Sequence, residues 1–342
     1  MGKSDEILRV LRKELLEGLH HPGSKFSSEH KLMIRFNASR PTINKVTEQL
    51  VSEKLLKRGP KGAGTFVAES TPFPIGHIAY LGSINSLYHL RILNGIQNAA
   101  FQKNYAVSVF SPGSESINHV LDKISLSVFG GIIVSNIGIV PDSFSLPVVY
   151  VDNGYDLGGN VRASVTCTNY KGAVDMAEMV LAHGHREILI CTTFGELEKS
   201  REDRVRGFKD TLEKHGIPNV NRRIFNQLIL NLTSVKFMLK KMIKLFPATT
   251  AILVDSDIIA NKVLQAKMEL MPELNLCITG FGNVAFNGGF LRFPSVEQHP
   301  EELGMQSVNE LLNMINDPDY ISPGKIEIET ELANMEKMIY VR

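Results

Sequence analysis

The chain has 342 residues, is 43% hydrophobic and carries a formal net charge of +1. That length supports a large buried core spread over two or three domains. Three widely spaced cysteines, Cys167, Cys191 and Cys277, argue against a disulfide framework, and no cysteine or histidine cluster has zinc spacing, so no metal or cofactor is expected. No apolar run reaches membrane-spanning length, and the N-terminus is a charged amphipathic stretch rather than a signal peptide, so a cytoplasmic protein without a membrane partner is expected. The small net charge hides an asymmetry. Residues 1–70 hold 13 Lys and Arg against 8 Asp and Glu, whereas the remainder holds 24 against 28. A basic first fifth on a mildly acidic body suggests a nucleic-acid end and a different task for the rest.

Residues 4–18 place Ile7, Leu8, Val10, Leu11, Leu15 and Leu16 among charges, as an amphipathic helix does. His21-Pro22-Gly23-Ser24 breaks it. Ser27-Ser28-Glu29 caps a second helix with Leu32, Met33 and Phe36 inward. Ser39 is an N-cap for a third helix, and Pro41 falls in its first turn, where a missing N–H is harmless. Ile43, Val46, Leu50 and Leu55 recur at roughly helical spacing, which leaves Arg40, Thr42, Asn44 and Lys45 outward near the helix start. A polar, basic helix start is what a helix-turn-helix protein inserts into the DNA major groove. Lys57, Arg58 and Lys61 then flank Gly59, Gly62 and Gly64, as in a basic hairpin that tracks phosphates. A plain structural module with a solvated basic face is the alternative.

Four ordered segments carry a resemblance: Pro22-Gly23-Ser24-Lys25-Phe26-Ser27-Ser28-Glu29, Ser39-Arg40-x-Thr42-Ile43, Leu50-x4-Leu55-Leu56, and Gly62-x-Gly64-Thr65-Phe66-Val67. Together they resemble the winged helix-turn-helix domain of GntR-type transcription regulators. The resemblance implies operator DNA as partner and Ser39, Arg40, Thr42, Asn44, Lys45, Lys61, Gly62 and Gly64 as the DNA-binding residues. His30 and Asn44 stand where the family usually has arginine, so a different operator is expected.

Residues 70–75 read as a linker between a head at 1–69 and a body at 76–342. In the body, short apolar strands alternate with helices. Strands are expected at 77–81, 106–110, 131–134, 147–151, 187–191, 225–230, 251–254 and 277–280, with the last strands in 325–341. Helices are expected at 90–102, 114–127, 169–183, 201–215, 233–245, 257–270 and 301–316. This rhythm requires parallel sheets covered on both faces, and the span is too long for one small sheet. The fold class is therefore α/β: a small winged helix-turn-helix followed by two lobes of doubly wound parallel sheet. Ligands of such folds sit beyond the carboxyl ends of strands.

The ordered markers Asn94-Gly95-Ile96, Gly130-Gly131-Ile132-Ile133, Asn169-Tyr170-x-Gly172-Ala173, Gly184-His185-Arg186-x-Ile188, Arg204-x-x-Gly207-Phe208, Ala251-Ile252-x4-Asp257 and Thr279-Gly280-Phe281 resemble the effector domain of LacI-type repressors. That domain is itself similar to periplasmic sugar-binding proteins. A GntR-type head on a LacI-type sensor is found in the arabinose-repressor group, and this chain resembles it. The resemblance implies a ligand-responsive regulator, a repressor of carbohydrate-related genes, and a homodimer formed through the body.

A sugar site needs groups that accept from and donate to several hydroxyls, with an aromatic face for the ring. Strand ends supply Asn85, Ser86, Tyr88 and His89, then Ser135, then Asp152, then Ser256 and Asp257. Arg204 and Gln298 match a family arginine and glutamine. Asp257 as a helix cap and Asp152 as a turn residue are the competing readings. Gly282 stands where the family usually has an aspartate that grips sugar hydroxyls, which points to a modified sugar or another small polar metabolite, with Asn283 as a partial substitute. No nucleophile, general base or phosphate loop is found in a supporting motif, so no enzyme is expected. A sensor module without a DNA role is the alternative.

Overall fold

The computed structural model describes residues 2–339 apart from 17, 71–72, 113–116, 153–161, 194–198, 227–230, 285–292 and 318. Two compact units emerge, Met1–Ile78 with Ala100–Ser108, and Ala79–Ala99 with Val109–Arg342, and each is taken by itself below.

The first unit opens with helices α1 (Lys3–Leu16), α2 (Glu29–Phe36) and α3 (Arg40–Ser52), then a hairpin of β1 (Leu56–Arg58) and β2 (Thr65–Val67). The caps are the ones the residue types demand. Ser28 Oγ accepts from Lys31 N–H, and Ser39 Oγ accepts from Thr42 N–H. Helix α3 stops earlier than the apolar spacing suggests, because Lys54 turns left-handed (φ 58°) and Leu55 N–H returns to Leu50 O at 3.0 Å. Leu55 still joins the core, with Ile7, Leu11, Leu32, Ile43, Val46, Leu50 and Val67. In the hairpin turn, Gly62 and Gly64 hold φ of 87° and 95°, a region a side chain resists.

The body strands and helices follow as β3 (Gly76–Gly82), α4 (Leu87–Gln102), β4 (Tyr105–Phe110), α5 (Ile117–Ser125), β5 (Phe129–Ser135), β6 (Val148–Val151) and β7 (Arg162–Cys167). Next come α6 (Asn169–Ala182), β8 (Ile188–Thr192), α7 (Lys199–Lys214), β9 (Ile224–Asn226), α8 (Leu232–Leu245), β10 (Ala251–Val254), α9 (Asp257–Leu270) and β11 (Cys277–Ile278). The described residues end with β12 (Ser295–Glu297), α10 (Pro300–Asn316), β13 (Lys325–Ile328) and β14 (Glu331–Ala333). Among the described residues one sheet has strand order β13-β7-β6-β5-β3-β4 and another β11-β10-β8-β9. The β13, β7, β6 and β5 pairings and all pairings of the second sheet are parallel, whereas β12 and β14 form a small antiparallel pair. The parts of the expected elements at 114–116, 227–230 and 340–341 lie outside the described residues.

Strand β7 was absent from the sequence reading. Its residues, Arg-Ala-Ser-Val-Thr-Cys, look half polar, yet all six are buried in the larger sheet, between β13 and β6. Arg162 is tolerated there because Nη1 donates to Val140 O (2.7 Å) and Nη2 to Pro141 O (2.6 Å). Strand β12, only three residues long, was also missed.

Helices α4 and α10 cross at two glycines. An added Cβ on Gly95 would lie 2.0 Å from Glu301 O, and one on Gly304 would lie 2.2 Å from Ile92 O. Both obstacles are helix backbone, which does not yield as a flexible side chain does. Gly95→Ala is therefore expected to force the helices apart and cost about 1–3 kcal/mol, as overpacking does. Urea denaturation measures this, and an unchanged midpoint would refute the close crossing.

Candidate functional site

The carboxyl ends of the two parallel sheets open onto a cavity of about 350 Å³ inside the second unit. Of the residues expected there, Ser86, Tyr88, His89, Asp152, Arg204, Ser256, Asp257 and Gln298 line it, and so does Asn85. Ser135 does not. It ends β5 fully buried, in a strand covered on both faces, and the chain leaves the strand at the next residue, Asn136 (φ 51°), which reaches the cavity instead. Asn283 also fails as a substitute for the missing aspartate. It is left-handed (φ 50°), with Nδ2 donating to Glu297 Oε2 (2.8 Å) and Oδ1 accepting from Asn334 Nδ2 (2.9 Å). Gly282 itself lines the wall at φ 131°, a conformation that a side chain there would strain.

Arg204 is 6% exposed and makes no ion pair among the described residues. Its Nε donates to Asn169 Oδ1 (2.7 Å), its Nη1 to Asp255 O (2.9 Å), and its Cζ lies 4.1 Å from the Phe281 ring centroid. Asn169 is oriented in turn by donating to Thr166 Oγ1 and Cys167 O, both at 3.1 Å. Sequence reading singled out Asn169 only as part of a motif; its role as the group that aims the arginine is visible only in three dimensions. Arg201, Ser200 and Phe281 were likewise missed as cavity residues. Arg201 sits one helical turn before Arg204 with Nη1 donating to Thr193 Oγ1 (2.6 Å), and Ser200 Oγ donates to Asp152 O (2.6 Å).

On the opposite wall, Tyr88 OH donates to Asp152 Oδ1 (2.8 Å) and accepts from Gln298 Nε2 (3.0 Å). Burial holds the Tyr88 phenol well above its ordinary pKa, so it stays neutral and keeps its proton for Asp152. Asp152 lines the cavity at a left-handed position (φ 68°), where it accepts the Tyr88 proton. His89 Nδ1 lies 2.6 Å from Ser86 Oγ, and its Nε2 is buried without a partner. Burial lowers its pKa, which leaves a neutral imidazole.

Asp257 is the first residue of α9, after the N-cap Ser256, and its carboxylate bonds outside the helix. Oδ2 accepts from Val284 N–H and Oδ1 from Ser295 Oγ, each at 2.7 Å, so the carboxylate ties the loop after β11 to β12. Burial pushes this carboxyl up from 3.8 to about 6, against the opposing pull of Ser295 and Val284.

In the first unit, Ser39 Oγ is engaged as the helix cap and lies 2.8 Å from Thr42 Oγ1. Arg40 and Lys45 are exposed on α3, and Lys61, Gly62 and Gly64 are exposed at the hairpin turn. Arg40 Nε donates to Glu29 Oε2 (3.0 Å), and the Asn44 carboxamide faces the same carboxylate; assigned with its nitrogen toward Glu29, because an oxygen there would meet only acceptors, it lies 2.8 and 3.2 Å from Oε1 and Oε2. Glu29, expected only as part of the motif, therefore sits among the candidate DNA contacts.

Residues 3–67 match the family described as bacterial regulatory proteins, gntR family, and residues 177–334 match a periplasmic binding protein-like domain. The chain joins a GntR-family head to a periplasmic-binding-protein-like body. The body's fold agrees with a transcriptional regulator CelR–cellobiose complex, at TM-score 0.66 and 14% identity over 86% of this chain and 88% of that one. Among curated relatives, an arabinose metabolism transcriptional repressor of Halalkalibacterium halodurans is 26% identical over 63% of this chain. The chain spans 62% of that repressor's length. A probable HTH-type transcriptional regulator, EndR of Paenibacillus polymyxa, is 25% identical over 86% of this chain and 87% of its own length. These matches are transcription regulators, not enzymes. Among the described residues no helix is long and apolar enough to cross a membrane.

The raised Asp257 pKa has a consequence for stability. A carboxyl at about 6 when folded and 3.8 when unfolded holds its proton more tightly in the folded state. Its stabilising contribution is full below 3.8 and is lost as pH rises through about 6. At 1.36 kcal/mol per pH unit the span is about 3 kcal/mol. Relative to Asp257→Asn, the unmodified protein should gain up to that amount between pH 7.5 and 4.5. Urea unfolding of both proteins at the two pH values measures it, and parallel pH profiles would refute the assignment.

Proposed function

We propose that the protein is a transcription repressor of carbohydrate-related genes, whose operator affinity is changed by a small polar effector bound between the two sheets of its body. The observation that carries this reading is the cavity itself. Arg204 offers guanidinium donors on one wall, Asp152 and Tyr88 offer an acceptor pair on the other, and Phe281 supplies an apolar face. Convergent hydrogen-bonding groups beside an aromatic ring suit a sugar or sugar derivative, and a volume of about 350 Å³ accepts one. The arabinose repressor and the cellobiose-bound regulator among its relatives support the same class. Gly282 removes the family's aspartate from the wall, which favours a derivative over an ordinary sugar.

In this reading α3 enters the major groove through Arg40, Thr42, Asn44 and Lys45, and the hairpin around Lys61–Gly64 holds the phosphates. A homodimer places two heads on a pseudo-palindromic operator. Effector binding changes the body's geometry, and a coupling of about 1–3 kcal/mol between effector and DNA changes operator affinity roughly 5–150-fold.

Thermal-shift screening of the full chain against sugars, sugar acids and sugar phosphates tests the effector. A ligand at 100 times its Kd stabilises by about 2.7 kcal/mol. Arg204→Ala is expected to abolish that shift and the ligand's effect on gel-shift affinity while leaving ligand-free DNA binding intact. An undiminished response at the same ligand concentration would place the effector elsewhere.

A further inference from the structure

Helix α9 starts on the cavity wall without a side-chain cap. Its N-cap residue, Ser256, is extended (φ −158°, ψ 139°) and makes no capping bond. It is only 8% exposed, its Oγ has no partner among the described residues, and it lines the cavity with Asp257 and Ile258. The Asp257 N–H donates to Phe281 O (3.0 Å) and the Ile259 N–H to Ser256 O (3.1 Å), whereas the Ile258 N–H finds no acceptor among the described residues. A 14-residue helix thus opens into the cavity with an unused hydroxyl, an unused N–H and the positive end of its dipole.

Arg204 meets the same corner. Its Nη1 donates to the carbonyl of Asp255, the residue before the cap, and its Cζ lies over the Phe281 ring, whose residue also accepts from Asp257 N–H. With Nε on Asn169, Nη2 is left without a partner among the described residues. The carboxylates beside it are already engaged. Asp255 Oδ2 accepts from Thr192 Oγ1, with Oδ1 3.9 Å from Arg201 Nη1, and Asp257 is held by Val284 N–H and Ser295 Oγ. Gly282 adds no acceptor side chain to this corner. Donors facing the cavity at a helix N-terminus call for an anionic group. Asp255 and Asp257 also feel the Arg204 charge, so the corner suits one negative charge rather than the two of a phosphate. The remaining lining suits hydroxyls: Asp152 Oδ2 and Gln298 Oε1 accept nothing among the described residues, and Asn85 and Asn136 stand with them.

We propose that the effector is a sugar acid, whose carboxylate sits at the start of α9 on Arg204 Nη2, Ser256 Oγ and the Ile258 N–H, while its hydroxyls meet Asp152 and Gln298. This rests on the reading of the cavity as the effector site given above.

Isothermal titration of the full chain at fixed ionic strength tests it, with the aldonates and uronates of the common pentoses and hexoses run against the parent sugars and their phosphates. At least one acid should bind about 100-fold tighter than its parent sugar, the effect of charge-assisted hydrogen bonds in a buried site, and tighter than the matching phosphate. Ser256→Ala should weaken that acid about tenfold, by loss of one hydrogen bond to a charged group. Ser256→Asp should weaken it about 100-fold, because the new carboxylate opposes the bound one, while a neutral sugar loses nothing. Both variants should melt within a few degrees of the parent without ligand, since Ser256 caps nothing and aspartate is a good N-cap. Ser256→Ala carries the comparison by itself where Ser256→Asp melts early. A neutral sugar bound as tightly as its acid, a phosphate preferred to every acid, or acid affinity unchanged in both variants would overturn the inference. A neutral sugar whose binding Arg204→Ala abolishes would do so while upholding the effector site itself. If no compound of any class binds, the effector reading falls and this inference with it.

Discussion

Arg204 is a cation taken almost wholly out of water that makes no ion pair among the described residues, although the buried carboxylates of Asp255 and Asp257 feel its charge. Such burial is costly unless hydrogen bonds replace the lost hydration. The replacement comes from separate parts of the body: the amide of Asn169 at the start of α6, the carbonyl of Asp255 after β10, and the face of Phe281 after β11. The arginine is thereby held rigidly by groups that carry no full opposite charge. The short β7, the N-terminus of α6 and the end of β10 all need their observed registers for this one side chain to be satisfied.

The stretch after β11, next to the Phe281 ring that Arg204 meets, follows from a second constraint. Asp257 is buried and bonded by Val284 N–H and Ser295 Oγ, so it shapes the loop between β11 and β12. That loop places Gly282 at φ 131° and turns Asn283 away toward Glu297 and Asn334. The absent aspartate is therefore not replaced by a neighbour. Its place is backbone, and the cavity keeps Asp152 as its exposed carboxylate acceptor, supported by Tyr88 and Gln298. Polar groups arranged this way suit hydroxyl recognition, while Phe281, Leu87 and Ile258 add apolar surface to the cavity lining.

The head obeys simpler rules. Its core is one apolar cluster drawn from three helices and the hairpin, its helix starts are capped by serine, and its turn glycines occupy positions that favour glycine. The face left outside the core is polar and basic. Glu29 interrupts that face and links the first turns of α2 and α3 through Arg40.

The alternation of apolar strands and amphipathic helices, the serine caps and the ordered motifs were enough to determine the α/β class, the winged head and most cavity residues. These are local signals: periodicity, capping and turn chemistry act within a few residues of one another. Strand β7 escaped because its Arg162 is satisfied by the carbonyls of Val140 and Pro141, far off in the chain, and burial by distant partners leaves no local pattern. The inward turn of Ser135, the aiming of Arg204 by Asn169 and the withdrawal of Asn283 were likewise decided only by the tertiary structure. Each depends on which face of a strand or loop meets its neighbour, and a one-residue change of register or a single left-handed φ reverses that choice without altering composition or spacing.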